Sequence, residues 1–329
     1  MTRPRILHLI DDTTPGGITR VLDHIQSCPQ MARDARHVVQ VVSRNRALPR
    51  LSADMIVSHL TIGWRFLPAL ISFRARHATT PLVHVEHSYT EGFTALNVPF
   101  RPRFFTLLRS AYALFDTVVA VSPTQARWLR DRKLVTRSNL RVIPPMVDLS
   151  GFRALAAPTG RPRVIGAIGR LDRQKGFDAL IPAFRALPDR DVELHIYGTG
   201  AEEAALKELA GTDRRIRFMG HAPSPEAAMA AVDLVAMPSR WEAYGLVALE
   251  ARAAGRGIVA AEVDGLQDSA AGALRTVKGL SQADWTAALA AARTLPAPED
   301  RATGAETRFA RAWSDLITQH CDAAQAAAA

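Results

Sequence analysis

Short apolar runs bounded by Gly, Pro, Asp or Ser recur along the chain, separated by stretches with helical spacing of apolar residues. Apolar runs of strand length alternating with amphipathic helices predict parallel strands buried on both faces. One series of predicted strands covers residues 5–10, 37–42, 55–58, 82–86, 117–121 and 141–143. A second covers 164–168, 192–197, 216–218, 234–237 and 257–261, with helices such as 17–26 and 202–209 filling the gaps. This alternation predicts an α/β protein with two doubly wound parallel sheets. The break between the series falls at Pro144-Pro145-Met146-Val147-Asp148, followed by a polar, small-residue stretch to Arg163.

Composition changes this picture little. A length of 329 residues fits two domains, and 48% apolar with 22% charged residues is ordinary for a globular chain. Cys28 and Cys321 have no metal-like spacing, which points to a reducing, cytoplasmic setting. The first apolar run is interrupted by Asp11-Asp12 too early for a signal peptide, and no run is long enough for a membrane span. Charge is more informative. Residues 1–150 hold 20 basic against 10 acidic side chains, whereas 151–329 hold 21 against 22, so the net +9 sits in the first half. No nucleic-acid module accompanies it. The segment 100–115 mixes Arg with Phe and Leu. It reads either as a helix packed on its own domain or as one that meets an anionic membrane surface.

Candidate chemistry gathers at strand-to-helix junctions, where α/β folds bind anionic ligands. After the run 234–237 comes Pro238-Ser239-Arg240-Trp241-Glu242-Ala243-Tyr244-Gly245-Leu246-Val247-Ala248-Leu249-Glu250, with two carboxylates eight residues apart. After 164–168 comes Gly169-Arg170-Leu171-Asp172-Arg173-Gln174-Lys175-Gly176. Lys175 is one of only four lysines among 41 basic residues. A Lys and an Arg at such a junction suit a phosphate, as point charge and bidentate fork. In the first half, Gly16-Gly17 follows the first strand, and His59 and His87 follow the third and fourth.

These motifs resemble the glycosyltransferase 4 family, the glycosyl transferases group 1. The family pattern P-S-x-x-E-x-F-G-x-x-x-x-E-A-x-A-x-G meets Pro238, Ser239, Glu242, Tyr244, Gly245, Glu250, Ala251, Ala253 and Gly255, with Tyr in place of Phe. G-R-L-x-x-x-K-G is matched at every fixed position by residues 169–176. The resemblance implies a GT-B fold, with two Rossmann-like domains and the active site in the cleft between them. It implies domains at 1–148 and 164–305, a linker at 149–163, and a closing helix at 306–329 that crosses back and frays at its end. It implies retaining transfer of a hexose from a UDP- or GDP-sugar to a glycan or lipid-linked acceptor, in the cytoplasm or at the inner face of the cell membrane. Glu242 would contact the sugar, Glu250 the ribose, the Gly245, Leu246 and Val247 amides the sugar and phosphate, and Arg170 with Lys175 the diphosphate, with Tyr244 also among the substrate-binding residues. His87 would orient the donor sugar, and His59, Gly16 and Gly17 would bind substrate. A nucleotide-sugar epimerase and a catalytically silent sugar-nucleotide binder share the fold and stay open as alternatives.

No metal or cofactor is expected. Asp189-Arg190-Asp191 is a D-x-D triplet, but it sits in a Pro-led turn before a strand, and Arg170 and Lys175 would take the metal's part. Gly198-Thr199-Gly200 reads as a tight turn without the remaining features of a dinucleotide fingerprint. The chain departs from the family at Gly255-Arg256-Gly257, where a Pro is missing, and at Asp264-Gly265, where a second Gly is missing.

Overall fold

The computed structural model describes the chain except residues 1–2, 44–47, 297–298, 300 and 329, and the side chains from 322 onward. It divides into two units, Met1–Val147 with Gly304–Ala329, and Asp148–Thr303.

The first unit carries strands β1 (Arg5–Ile10), β2 (Arg36–Val41), β3 (Met55–Ser58), β4 (Leu82–Glu86), β5 (Thr117–Ala120) and β6 (Leu140–Val142). They form one sheet in the order β2-β1-β3-β4-β5-β6, with every pairing parallel. All residues of β3, β4 and β5 are buried, as expected for strands covered by helices on both faces. The chain reverses direction across the sheet between β1 and β3. That is the switch point where the loops after neighbouring strands diverge and leave room for ligands.

The second unit carries β7 (Val164–Ile168), β8 (Glu193–Tyr197), β9 (Ile216–Gly220), β10 (Leu234–Met237), β11 (Gly257–Ala261) and β12 (Arg275–Val277). Their order is β12-β11-β10-β7-β8-β9, again all parallel. The switch point here lies between β10 and β7, the two strands that precede the candidate donor motifs.

Two segments differ from the sequence reading. Residues 149–163 belong to the second unit. Phe152, in the short helix Ser150–Arg153, is fully buried, and Arg153 donates to the carbonyls of Arg301 and Ala302. Arg256 donates to the carbonyl of Ala156 at 2.6 Å. An anchored segment of this kind is part of the domain it packs on. The three residues of β12, Arg275–Val277, form no apolar run, and two of them are exposed at the sheet edge.

The last helix, Ala305–Ala328, groups with the first unit. Trp313 lies edge-on to His8, His320 shares a hydrogen bond with Thr117 at 2.9 Å, and Arg141 donates to Gln319 at 3.0 Å. The side chains of the expected frayed end, 323–329, lie outside the described residues. No described helix is long and apolar enough to cross a membrane.

Candidate active site

In the second unit the loops after β7 and β10 meet because their strands are neighbours. Lys175 and Glu242 form an ion pair at 2.5 Å, with side chains 17% and 12% exposed. One of the three ammonium donors is thereby engaged, and two remain for another ligand. Arg170 is largely exposed, held by Asp172 at 3.3 Å and by the side-chain oxygen of Gln174 at 3.1 Å. Gln174 also ties the two loops together. Its amide donates to the carbonyl of Trp241 at 3.0 Å, and its own carbonyl accepts from Arg240 N–H at 2.8 Å.

Gly176 shows how tightly the loops approach. Its φ is +69°, and a Cβ there would stand 2.1 Å from the carbonyl oxygen of Pro238. Beside it, Arg240 forks onto Asp178 with bonds of 2.7 and 2.6 Å and reaches the carbonyl of Arg173 at 2.9 Å. The Arg240 hydrogen bonds hold the Asp178 carboxyl below its ordinary pKa, against a smaller opposing effect of burial. A third loop, after β11, completes the frame: Gly265 N–H donates to the Glu242 carbonyl at 3.0 Å, and Asp264 accepts from Glu242 N–H at 3.3 Å.

Gly245 caps the helix Leu246–Ala253. Leu246 and Val247 occupy its first turn, where backbone N–H groups have no acceptor within the helix. Glu250 follows one turn later and is 2% exposed. Ser269 donates to the carbonyl of Tyr244, fixing the turn before the helix. The arrangement offers cationic donors, backbone N–H groups and two carboxylates around neighbouring loops. That donor and acceptor set matches a phosphorylated, hydroxyl-rich ligand.

The D-x-D acids lie elsewhere in this unit, just before β8, at the opposite end of the parallel strands from Lys175. Asp189 is paired with Arg293 and, at 3.0 Å, with Arg161, and Asp191 meets Arg293 at 3.4 Å. Arg293 is completely buried, so these acids neutralise a structural guanidinium. No cluster of three or more metal-ligating side chains occurs among the described residues. The Gly198–Gly200 turn packs on the Gly169–Leu171 backbone, with Leu171 N–H donating to the carbonyl of Thr199 at 2.9 Å.

In the first unit, Gly16 and Gly17 begin the helix Gly17–Ser27 after β1, and the Thr19 hydroxyl accepts from Gly16 N–H at 3.1 Å. His59 and His87 follow β3 and β4, and their rings bond at 2.8 Å, His59 Nδ1 to His87 Nε2. The second nitrogen of His59 is bonded to His8 at 3.0 Å. His59 is 7% exposed, so its ring has no nitrogen left for the substrate contact expected of it. Burial, with the facing His87, His8 and His84 rings, holds the His59 pKa well below its ordinary value. His87 is half-buried, and its pKa falls to about 4, through burial first and despite the opposing Glu86 charge.

Glu86 secures the His87 turn. It accepts from Ser88 N–H at 2.7 Å, Tyr89 N–H at 2.9 Å and the Tyr112 hydroxyl at 2.6 Å. Burial favours its protonated form, but these bonds and the nearby His84 outweigh that and lower the pKa. Gln125 donates to the carbonyls of Glu86 and Tyr89 at 3.1 and 2.9 Å, closing the turn from the other side. Sequence reasoning did not single out Arg240, Gln125, His8 or His37. A charged or polar residue next to a motif, or inside an apolar strand, was the only mark they carried.

Residues 11–150 match Glycosyltransferase Family 4, and residues 162–294 match Glycosyl transferases group 1. The chain belongs to this glycosyltransferase family, and its fold is GT-B. It is 34% identical over 203 residues to the D-inositol 3-phosphate glycosyltransferase of Nocardia farcinica, an alignment covering 54% of this chain and 44% of that protein. The chain thus spans about half the length of the curated relatives it matches. Among solved structures, it resembles HepE of Anabaena in complex with UDP, with a TM-score of 0.67, 21% identity, and coverage of 98% and 100% of the two chains. It also resembles WaaG, a glycosyltransferase involved in lipopolysaccharide biosynthesis, with a TM-score of 0.65, 20% identity, and coverage of 97% and 98%.

Proposed function

We propose that this protein transfers a hexose from a UDP- or GDP-sugar to a glycan or lipid-linked acceptor, with retention at the anomeric carbon. The observation that carries this reading is the Lys175–Glu242 pair, held beside Arg170 where the loops after β7 and β10 are clamped by Arg240 and Asp178. Lys175 and Arg170 bind and stabilise the diphosphate as it leaves. Glu242 meets the sugar hydroxyls and also keeps the Lys175 ammonium in place. Glu250 takes the ribose hydroxyls, and the first-turn amides at Leu246 and Val247 take phosphate or sugar oxygens. His87 orients the donor sugar. The glycosyltransferase names of the relatives, and the UDP and glucose bound in a solved HepE complex, support the choice of donor class. No step in this scheme calls for a metal.

The test is a panel of UDP- and GDP-sugars screened for thermal stabilisation, since a ligand that binds the native state raises stability by mass action. Radiolabel transfer from the best donor follows. Lys175→Ala should lower transfer by about 2–4 kcal/mol of transition-state stabilisation, with nucleoside binding nearly unchanged. Transfer should persist in EDTA. If no nucleotide sugar stabilises the protein or donates label, the reading is wrong. If EDTA abolishes transfer and Mg²⁺ or Mn²⁺ restores it, the leaving group is stabilised by a metal instead.

A further inference from the structure

Four imidazoles form one hydrogen-bonded row across the first unit's sheet. His37 on β2, His8 on β1, His59 after β3 and His87 after β4 come from four strands that are consecutive in the sheet. His37 Nδ1 meets His8 Nε2 at 3.0 Å, His8 Nδ1 meets His59 Nε2 at 3.0 Å, and His59 Nδ1 meets His87 Nε2 at 2.8 Å. The Trp313 ring stands edge-on to His8, 5.8 Å away. His8 is fully buried, and at the two ends of the row His37 Nε2 is buried with no hydrogen-bond partner among the described residues, whereas His87 is half-buried with its Nδ1 outside the row.

Counting protons in this row leaves few arrangements. A neutral imidazole has one N–H and one bare nitrogen, and each N···N bond needs one hydrogen. His8 and His59 use both nitrogens, so if either ring changes tautomer, one of its bonds becomes two facing lone pairs or two facing hydrogens. For neutral rings, all three bonds survive only when the four rings share a tautomer, either all Nδ1–H or all Nε2–H. Among the described residues His37 Nε2 has no partner in either state, as a bare nitrogen in the first and as a buried N–H in the second, and native structures leave an N–H orphaned more rarely than an acceptor. The first state leaves a bare nitrogen there and puts a hydrogen on the outward Nδ1 of His87. Burial lowers the pKa of each ring, which keeps the row neutral near pH 7.5.

We propose that the row fixes His87 in its Nδ1–H tautomer, so that His87 meets its ligand as a hydrogen-bond donor, with His59, His8 and His37 as positioning residues. On the glycosyltransferase reading, to which this inference adds, the partner of that N–H is an oxygen of the nucleotide sugar. A donor fixed in advance need not reorganise as the sugar moves toward the transition state.

Selective ¹⁵N labelling of histidine tests this without any substrate, because long-range ¹H–¹⁵N spectra distinguish protonated from bare ring nitrogens. At pH 7.5 all four rings should carry hydrogen on Nδ1. Mixed tautomers, or four Nε2–H rings, would overturn the proposal. Cutting the row with His8→Phe should leave His87 exchanging between both tautomers and lower kcat about tenfold, although His8 cannot touch substrate. At His59, Asn can donate to His87 Nε2 or, flipped, accept from it, so it keeps the contact without relaying the tautomer. His59→Asn should therefore leave His87 exchanging between tautomers and lower kcat, as His8→Phe does. This variant carries the test if His8→Phe does not fold. A loss of kcat with the His87 spectrum unchanged would mean that packing alone is at work. A parent protein that shows the shared tautomer and transfers no sugar would sink the transferase reading and leave the row intact.

Discussion

Gly176 stands where two loops touch, and it is the residue whose role is easiest to isolate. A side chain there meets the Pro238 carbonyl at 2.1 Å and must also adopt φ of +69°. Gly272 has φ of +83° with nothing within 4 Å of a Cβ. Gly272→Ala should therefore cost about 1 kcal/mol, the backbone cost alone. Gly176→Ala adds a clash that forces the loops apart, for a total of about 2–4 kcal/mol. Urea unfolding midpoints of the two variants measure the difference, and equal losses would mean the loops yield without strain. At this scale the sequence was partly legible. Lys175, Arg170, Glu242 and Glu250 could be named because they belong to spaced motifs. Arg240 and Asp178 could not, since their pairing depends on β7 and β10 lying side by side, and these strands are about 70 residues apart.

The same limit governs the elements. Strands such as Val164–Ile168 and Leu234–Met237 are short apolar runs with clear ends, so period and length were enough to place them. β12 escaped because it lies at an edge and is mostly exposed. The histidine row is invisible in sequence because it needs strand order and register together. It has a consequence for stability. The rings of His8, His37 and His87 have pKa values lowered to about 3, 4 and 4, against about 6.5 in the unfolded chain. Between pH 6.5 and about 4 the unfolded state binds more protons than the folded state, so stability falls as pH falls. The contribution is complete above pH 6.5. Each fully buried ring supplies up to about 1.4 kcal/mol per pH unit, and coupling within the row reduces the sum. Unfolding free energies from urea titrations at pH 7.5 and 5.0 should differ by on the order of 2–5 kcal/mol. His37→Phe, at the end of the row away from His87, should narrow that gap. Glu86 and Asp178, with lowered carboxyl pKa values, lose their contribution only at lower pH, so they do not mimic this window. A stability that stays flat from pH 7.5 to 5.0 would show that the rings are accessible to protons in the native state.

For the molecule as a whole, the uneven charge is the property that composition exposes and the fold refines. Residues 1–150 carry a net +10 and 151–329 a net −1. The helix Arg101–Tyr112 buries Leu107, Leu108, Ala111 and Tyr112 in its own unit, and Phe104 and Phe105 pack against the same core. Arg109 is committed to the carbonyls of Lys133 and Arg132. What faces outward is narrower than the sequence suggested: Phe100 at 75% exposure, Leu96 and Trp64, with Arg101, and Arg103 over the Trp64 ring at 5.3 Å. Exposed apolar side chains flanked by arginines suit an anionic bilayer, where each basic residue contributes about 1 kcal/mol, screened by salt. The protein should co-sediment with phosphatidylserine-containing vesicles at low salt and dissociate as salt rises. Replacing Arg101 and Arg103 by Ser should weaken partitioning by about 2 kcal/mol, roughly thirtyfold. Phe100→Ser should remove part of the binding that salt does not. Neither change should alter stabilisation by a nucleotide sugar, since Lys175 and Glu242 belong to the other unit. Arg109→Ser should change folding stability by less than about 1 kcal/mol, because the two carbonyls it releases are exposed and take up water. Vesicle binding indifferent to salt and to the changes at Phe100, Arg101 and Arg103 would place the contact elsewhere. No binding at all would leave the exposed patch without a membrane role and favour an acceptor that comes from solution.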